Sequence, residues 1–148
     1  MELRGEPILL VEDDPNDQIL VRRAFKKAGI ANPIRVVSDG DAAVAYLAGD
    51  EPYGDREANP LPALVMLDIK LPRRSGHEVL AWLRAREEIR RIPVVMLTSS
   101  ADRGDVDRAY DLGANSYLTK PVVFDEFIEM ARSLGMYWTV WNRPPSAG

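Results

Sequence analysis

A chain of 148 residues, 46% apolar and 28% charged, has the balance of one water-soluble globular domain. Its net charge of −4 gives no basis for general binding to nucleic acid or to an anionic membrane. The absence of cysteine excludes a disulfide framework and a thiolate metal site, and apolar runs of about five residues fall far short of the ~20 that span a bilayer.

Met1 to Pro7 is charged and lacks the apolar stretch of a signal peptide, so the cytoplasm is the expected compartment. Ile8-Leu9-Leu10-Val11 reads as a buried strand. Glu12-Asp13-Asp14-Pro15 follows as a helix start, with Asp14 as N-cap and Pro15 in the first turn. Val21, Ala24, Phe25 and Ala28 then share one helical face, and Gly29 ends the helix.

Ile34 to Val37 reads as a second strand, and Asp39 caps a helix that buries Ala43, Tyr46 and Leu47. Residues 49 to 62, rich in proline, glycine and charge, form one long exposed loop. Ala63 to Leu67 is a buried strand, and a helix carrying Val79, Leu80 and Leu83 begins near Gly76. Val94 to Leu97 is the fourth strand, and Asp102 caps a helix that turns Val106, Ala109 and Tyr110 inward. Asn115 to Leu118 is the fifth strand, and Phe124, Phe127, Ile128, Ala131 and Leu134 mark the last helix.

Strand and helix thus alternate five times, the pattern of an α/β fold with a parallel sheet. Runs 8–11, 63–67 and 94–97 are apolar throughout, as central strands covered on both faces should be, whereas 34–37 and 115–118 are more polar and suit the edges. With right-handed crossovers this predicts a flavodoxin-like (βα)5 doubly wound sheet of order 2-1-3-4-5. Residues 1–148 are expected to form a single domain, with its core at about 6–135 and a frayed C-terminal tail over 136–148.

In such sheets ligands bind beyond the carboxyl ends of the strands, where strand order reverses. Here that point lies between strands 8–11 and 63–67. Glu12, Asp13 and Asp68 sit just past those ends, Thr98 follows the fourth strand and Lys120 the fifth. Two carboxylates ~4 Å apart repel by about 4 kcal/mol at an effective dielectric of 20, so a cation, shifted pKa values or both must compensate. Mg²⁺ suits hard oxygen donors: Asp13 and Asp68 directly, the backbone carbonyl of Lys70, and Glu12 through a water. A carboxylate beside Mg²⁺ can accept a phosphoryl group. Asp68 would attack, Lys120 would neutralise the phosphoryl oxygens, and Thr98 would donate a hydrogen bond to them.

Leu10-Val11-Glu12-Asp13-Asp14, Leu67-Asp68-Ile69-Lys70-Leu71-Pro72, Val95-Met96-Leu97-Thr98-Ser99-Ser100 and Tyr117-Leu118-Thr119-Lys120-Pro121 together resemble the receiver family of two-component response regulators, from about residue 6 to 135. The resemblance implies an acidic pair at Glu12 and Asp13, a phosphoacceptor at Asp68 and a phosphate-sensing lysine at Lys120. It also implies a switch pair, Thr98 and Tyr117, and a cis peptide bond before Pro121. The 49–62 loop, the stretch from Ile92 to Ser100 and the tail Met136-Tyr137-Trp138 are similar to the small regulators paired with bacterial phytochromes. The sequence departs from the family at Ser75-Gly76, where Asp-Gly is usual, and carries a cation at Lys70, two residues past the acceptor.

The implied activity is that of a stand-alone phosphorelay switch rather than an enzyme. It would be loaded by a histidine kinase, with a bacteriophytochrome kinase as the expected partner. Output would come through homodimerisation or another protein, with no nucleic acid or membrane involved. Three rivals stand beside it. A haloacid-dehalogenase-type hydrolase needs a second Asp where this chain has Lys70. A flavodoxin-like cofactor binder needs a phosphate loop after the first strand. A degenerate receiver scaffold would not need all five site residues.

Other residues have plainer readings. Asp14 is a cap, His77 a surface residue, and Tyr117 either a rim tyrosine or a switch. Arg84, Arg86, Arg90 and Arg91, alternating with Glu87 and Glu88, read as a solvated face. Trp138 and Trp141 either cap the core or meet a second copy.

Overall fold

The structure, a computed structural model, describes residues 6–120 and 124–136. Five strands, β1 (Ile8–Val11), β2 (Ile34–Val37), β3 (Leu64–Leu67), β4 (Val94–Thr98) and β5 (Ser116–Thr119), pair in parallel in the order β2-β1-β3-β4-β5. The helices between and after them are α1 (Pro15–Lys27), α2 (Gly40–Ala48), α3 (Gly76–Arg84), α4 (Arg103–Asp111) and α5 (Phe124–Met136). The predicted flavodoxin-like doubly wound topology is therefore the observed one, edge strands included.

Side chains alternate across each strand, so the continuous apolar runs feed two cores. Ile8, Leu10, Leu64, Met66, Val95 and Leu97 point to the side covered by α1 and α5, through Val21, Phe25, Ile128 and Ala131. Leu9, Val11, Val65, Leu67, Val94 and Met96 point to the other, covered by α2, α3 and α4 through Tyr46, Leu47, Val79, Leu80, Leu83 and Ala109.

Helix starts follow the predicted chemistry. Asp14, Asp39 and Asp102 are N-caps, accepting from the N–H groups of Asn16, Ala42 and Asp105. Ser75 and Glu78 form a capping box that opens α3. Gly29 adopts φ 82° after the C-cap of α1, the left-handed geometry that favours glycine.

Two expectations are corrected, at Tyr110 and Arg84, and the exposed 49–62 loop gains a detail. Tyr110 is 49% exposed rather than inward. Helix α4 fully buries only Ala109, and Tyr110, about 100° farther round the helix, passes out of that stripe. The 49–62 loop is largely exposed but pinned at its base. Arg56 donates to the carbonyls of Tyr46 and Leu47, both at 2.8 Å, and so satisfies the last turn of α2. Tyr46 in turn donates its hydroxyl to Pro60 O (2.8 Å) and packs its ring against Tyr53 at 5.1 Å. Lastly, Arg84 does not belong to a solvated face. It is half-buried, and its guanidinium donates to the carbonyls of Gly113, Arg90 and Ile92 and to Asn115 Oδ1. Arg86 does lie at the surface, stacked 4.5 Å over the ring of Trp82. Pro121, the tail from Tyr137 onward and the side chains of Phe127 and Leu134 lie outside the described residues.

Candidate functional site

Parallel pairing brings Val11 level with Leu67, so the next residues of both strands emerge together where strand order reverses. Glu12 N–H donates to Val37 O at 3.0 Å and Asp68 N–H to Val11 O at 3.2 Å, which extends the ladder one step past the strand ends. Both side chains are buried there, Glu12 at 2% and Asp68 at 7% exposure. Asp13, next in the chain, is exposed at the mouth, and Lys70 is exposed two residues beyond Asp68.

The ammonium of Lys120 closes the crevice from the end of β5, whose backbone is held by a 2.8 Å bond from Lys120 N–H to Thr98 O. It donates to Asp68 Oδ2 at 2.8 Å, to Asp17 Oδ2 at 2.9 Å and to Glu12 Oε1. The other oxygen of Asp68, Oδ1, accepts the Ile69 N–H at 2.7 Å. Glu12 Oε2 accepts the Asp14 N–H at 3.2 Å.

Burial, only partly offset by Lys120 and the Asp14 N–H, pushes the Glu12 carboxyl up to about 7. Burial alone would lower the Lys120 ammonium, but hydrogen bonds to Asp68, Glu12 and Asp17 outweigh it and raise the net value. Both compensations expected of clustered carboxylates, a cation and a shifted pKa, are thus present.

These oxygens also fit a hard divalent cation. Four of them belong to the buried carboxylates Glu12 and Asp68, with the exposed Asp13 next in the chain after Glu12. Among the described residues no group of three or more His, Asp or Glu side chains is arranged to hold a metal by itself. A donor set of two carboxylates completed by a backbone carbonyl and waters is the arrangement Mg²⁺ prefers.

Thr98 ends β4 at 1% exposure, and its Oγ1 accepts the Ser100 N–H at 3.3 Å. Tyr117 on β5 is half-buried and donates its hydroxyl to Ser100 O at 2.7 Å. The Ser100 hydroxyl donates to Asp105 Oδ2 at 2.7 Å. The two expected switch residues therefore meet at one loop, β4–α4, through Ser100.

His77 departs from its expected surface position. It is 4% exposed in the first turn of α3, and its Nε2 lies 3.1 Å from Asp105 O in the first turn of α4. A carbonyl only accepts, so the ring carries its proton on Nε2. Burial follows from the close seating of that turn: a Cβ on Gly76 would lie 2.1 Å from Asp68 O, so α3 rests directly on the Asp68 backbone.

Sequence reasoning also missed Asp17, Ser100 and Asp105. Asp17 reads in sequence as an acid complementing the helix dipole in the first turn of α1. Its only further signal is a place one turn past Asp13 and Asp14. Nothing local points to a lysine 103 residues away.

Comparison with known proteins agrees with this geometry. Residues 8–132 match the model of the response regulator receiver domain, and the chain belongs to that family. It is a receiver-domain response regulator of two-component signalling, related to the phytochrome response regulators. It is 42% identical over 138 residues to the probable methanogenesis regulatory protein FilR2 of Methanothrix harundinacea, covering 93% of this chain and 86% of the other. It is 38% identical to the response regulator Rcp1 of Synechocystis, covering 95% and 93%. The crystal structure of Mn²⁺-bound Rcp1 superposes with a TM-score of 0.84 over 95% of this chain and 99% of that one, at 36% identity. The phosphorylated cyanobacterial phytochrome response regulator RcpA superposes at 0.87, with 32% identity over 96% and 99%. The bacteriophytochrome response regulator RtBRR superposes at 0.76, with 44% identity over 95% and 84%. No helix among the described residues is long and apolar enough to cross a membrane.

Proposed function

We propose that this chain is a phosphorylation switch in which Asp68 accepts a phosphoryl group from the phosphohistidine of a sensor kinase. The observation that carries the reading is the setting of Asp68: buried at the end of a central strand, beside Glu12, with Oδ2 on Lys120 and Oδ1 on a backbone N–H. In the transfer an Asp68 oxygen forms a bond to phosphorus, the P–N bond of the donor breaks, and the leaving nitrogen takes up a proton.

Asp13, Asp68 and the carbonyl of Lys70, with Glu12 through a water, would hold Mg²⁺, which when bound neutralises phosphoryl charge. That structures of relatives carry Mn²⁺ or Mg²⁺ supports a divalent site in the family. The chain's own residues do the rest. Lys120 stays hydrogen-bonded to the acceptor and turns a donor to the phosphoryl group. Thr98 exchanges its backbone partner at Ser100 for a phosphoryl oxygen. Loss of that bond frees the β4–α4 loop, Tyr117 loses its place on Ser100, and the surface around α4 and β5 rearranges. That change is the output, read as homodimerisation or as binding to another protein, with residues 1–148 acting as one domain.

The likeness to RcpA and RtBRR, whose names tie them to phytochromes, supports a bacteriophytochrome kinase as the partner. The test is incubation of purified protein with Mg²⁺ and phosphoramidate, followed by phosphate-affinity electrophoresis. Wild type gains one acid-labile phosphoryl group and Asp68→Asn none; equal labelling of the two ends the proposal. Light-dependent transfer from a bacteriophytochrome kinase tests the partner separately.

A further inference from the structure

We propose that Asp17 is a positioning residue for Lys120, an anion that holds the ammonium at the phosphoryl site while Asp68 becomes an acyl phosphate; this rests on the phosphoacceptor reading above. A lysine ammonium has three protons, and here each faces a carboxylate: Glu12, Asp17 and Asp68. Their fates differ. Asp68 loses its carboxylate charge when it becomes an acyl phosphate. Glu12 is buried at the end of β1, inside the same crevice. Asp17 lies outside the chemistry, on α1, and with a side chain 29% exposed it is the least buried of the three.

Its position is fixed independently of the lysine. Asp14 caps α1 and Pro15 starts it, which sets the first turn. The neighbouring Gln18 donates to Glu12 O at 2.6 Å and to Ser38 Oγ at 3.4 Å, tying that turn to the end of β1. A flexible four-carbon side chain surrenders much rotamer freedom to sit in one place. A fixed carboxylate at 2.9 Å supplies the restraint. Without it, the ammonium would be held only by Glu12 and by the group whose charge the reaction changes.

The experiment uses the full chain with Asp17→Asn, neutral and of the same shape, and Asp17→Glu, which restores the charge on a longer arm. Labelling of Asp68 by phosphoramidate is followed as a function of donor concentration, with thermal melting to show that each variant is folded. Asp17→Asn lowers the maximal rate by about tenfold with little change in the half-saturating donor concentration, and Asp17→Glu recovers part of the loss.

A second readout needs no phosphodonor. Amine modification of Lys120, quantified by mass spectrometry, speeds up several-fold in Asp17→Asn, because the side chain is less firmly held and reaches the reagent more often. Wild-type labelling rates and unchanged Lys120 reactivity in Asp17→Asn overturn the proposal. Equal loss in the Asn and Glu variants also overturns it, since that marks a structural role. Labelling of Asp68→Asn, by contrast, sinks the phosphoacceptor reading and leaves the amine reactivity to decide on Asp17.

Discussion

Arg84 donates through Nη2 to Asn115 Oδ1 at 2.8 Å, and the same oxygen accepts the Val94 N–H at 2.8 Å. Through Nε and Nη2 the guanidinium also reaches Gly113 O, and through Nη1 the carbonyls of Arg90 and Ile92. One side chain at the end of α3 thus joins the turn leading into β4 to the turn leading into β5. Lysine has neither the planar fork nor enough donors for this set. Arg84→Lys is expected to cost roughly 2–3 kcal/mol, from carbonyls left without a partner. Urea unfolding checks it: the midpoint falls and the slope stays constant.

His77 acts at the opposite end of α3. Its Nε2–H bond to Asp105 O links the first turn of α3 to the first turn of α4. His77→Phe keeps a ring of similar size and removes the donor. Global stability should fall by only about 1 kcal/mol, because the Asp105 carbonyl keeps its place in α4. The local effect is larger. Amide hydrogen exchange should quicken across the first turn of α4 and leave β1 and β3 unchanged. Uniform acceleration across the sheet would show that His77 is a general packing residue.

The contrast between these arginine and histidine contacts and the rest of the molecule shows what a sequence can reveal. Strand order was legible because period and apolarity are local properties: Ile8–Val11 and Val94–Leu97 are apolar on both faces, while Arg35 and Ser116 mark the edges. The topology then placed Glu12, Asp68 and Lys120 together, with Thr98 at the end of β4, since residues at and just past strand ends converge by geometry alone. Arg84, His77 and Asp17 were not legible for one shared reason. Each is placed on a helix by local pattern, yet its partner is a group contributed by a different element far along the chain. Tyr110 was misplaced because a spacing of three and four residues defines a face without saying how wide a strip the neighbours cover.

Gly76 offers a test of how closely Asp68 is seated. The Cβ of an alanine there would fall 2.1 Å from Asp68 O and 2.9 Å from Ile69 Cα, both backbone atoms. Neither can swing aside, so either α3 or the Asp68 backbone must move. Gly76→Ala is expected to lose about 1–3 kcal/mol of stability. Labelling of Asp68 should slow by one to two orders of magnitude, roughly the cost of a group displaced by ~1 Å. Ser75→Ala serves as the control. It removes the cap of α3 at a cost of about 1 kcal/mol without crowding Asp68, and should label at nearly the wild-type rate.

Lys120 and a divalent cation would draw on the same oxygens, so removing the lysine should move metal affinity and phosphoryl loading in opposite directions. The ammonium contacts Glu12 and Asp68, and its positive charge opposes any second cation that approaches them. Lys120→Ala frees both carboxylates and removes that repulsion, which should tighten Mg²⁺ or Mn²⁺ binding by about tenfold. The same substitution deletes the donor proposed to meet the phosphoryl oxygens, so loading from phosphoramidate should drop by about 100-fold or more. Calorimetric titration with Mn²⁺ checks the first half, and Asp13→Asn and Asp68→Asn should each weaken that binding. Chelation with EDTA should abolish loading in wild type and in Lys120→Ala alike. If Lys120→Ala instead weakens metal binding, the lysine is organising the carboxylates rather than competing for them, and the electrostatic account of the crevice fails.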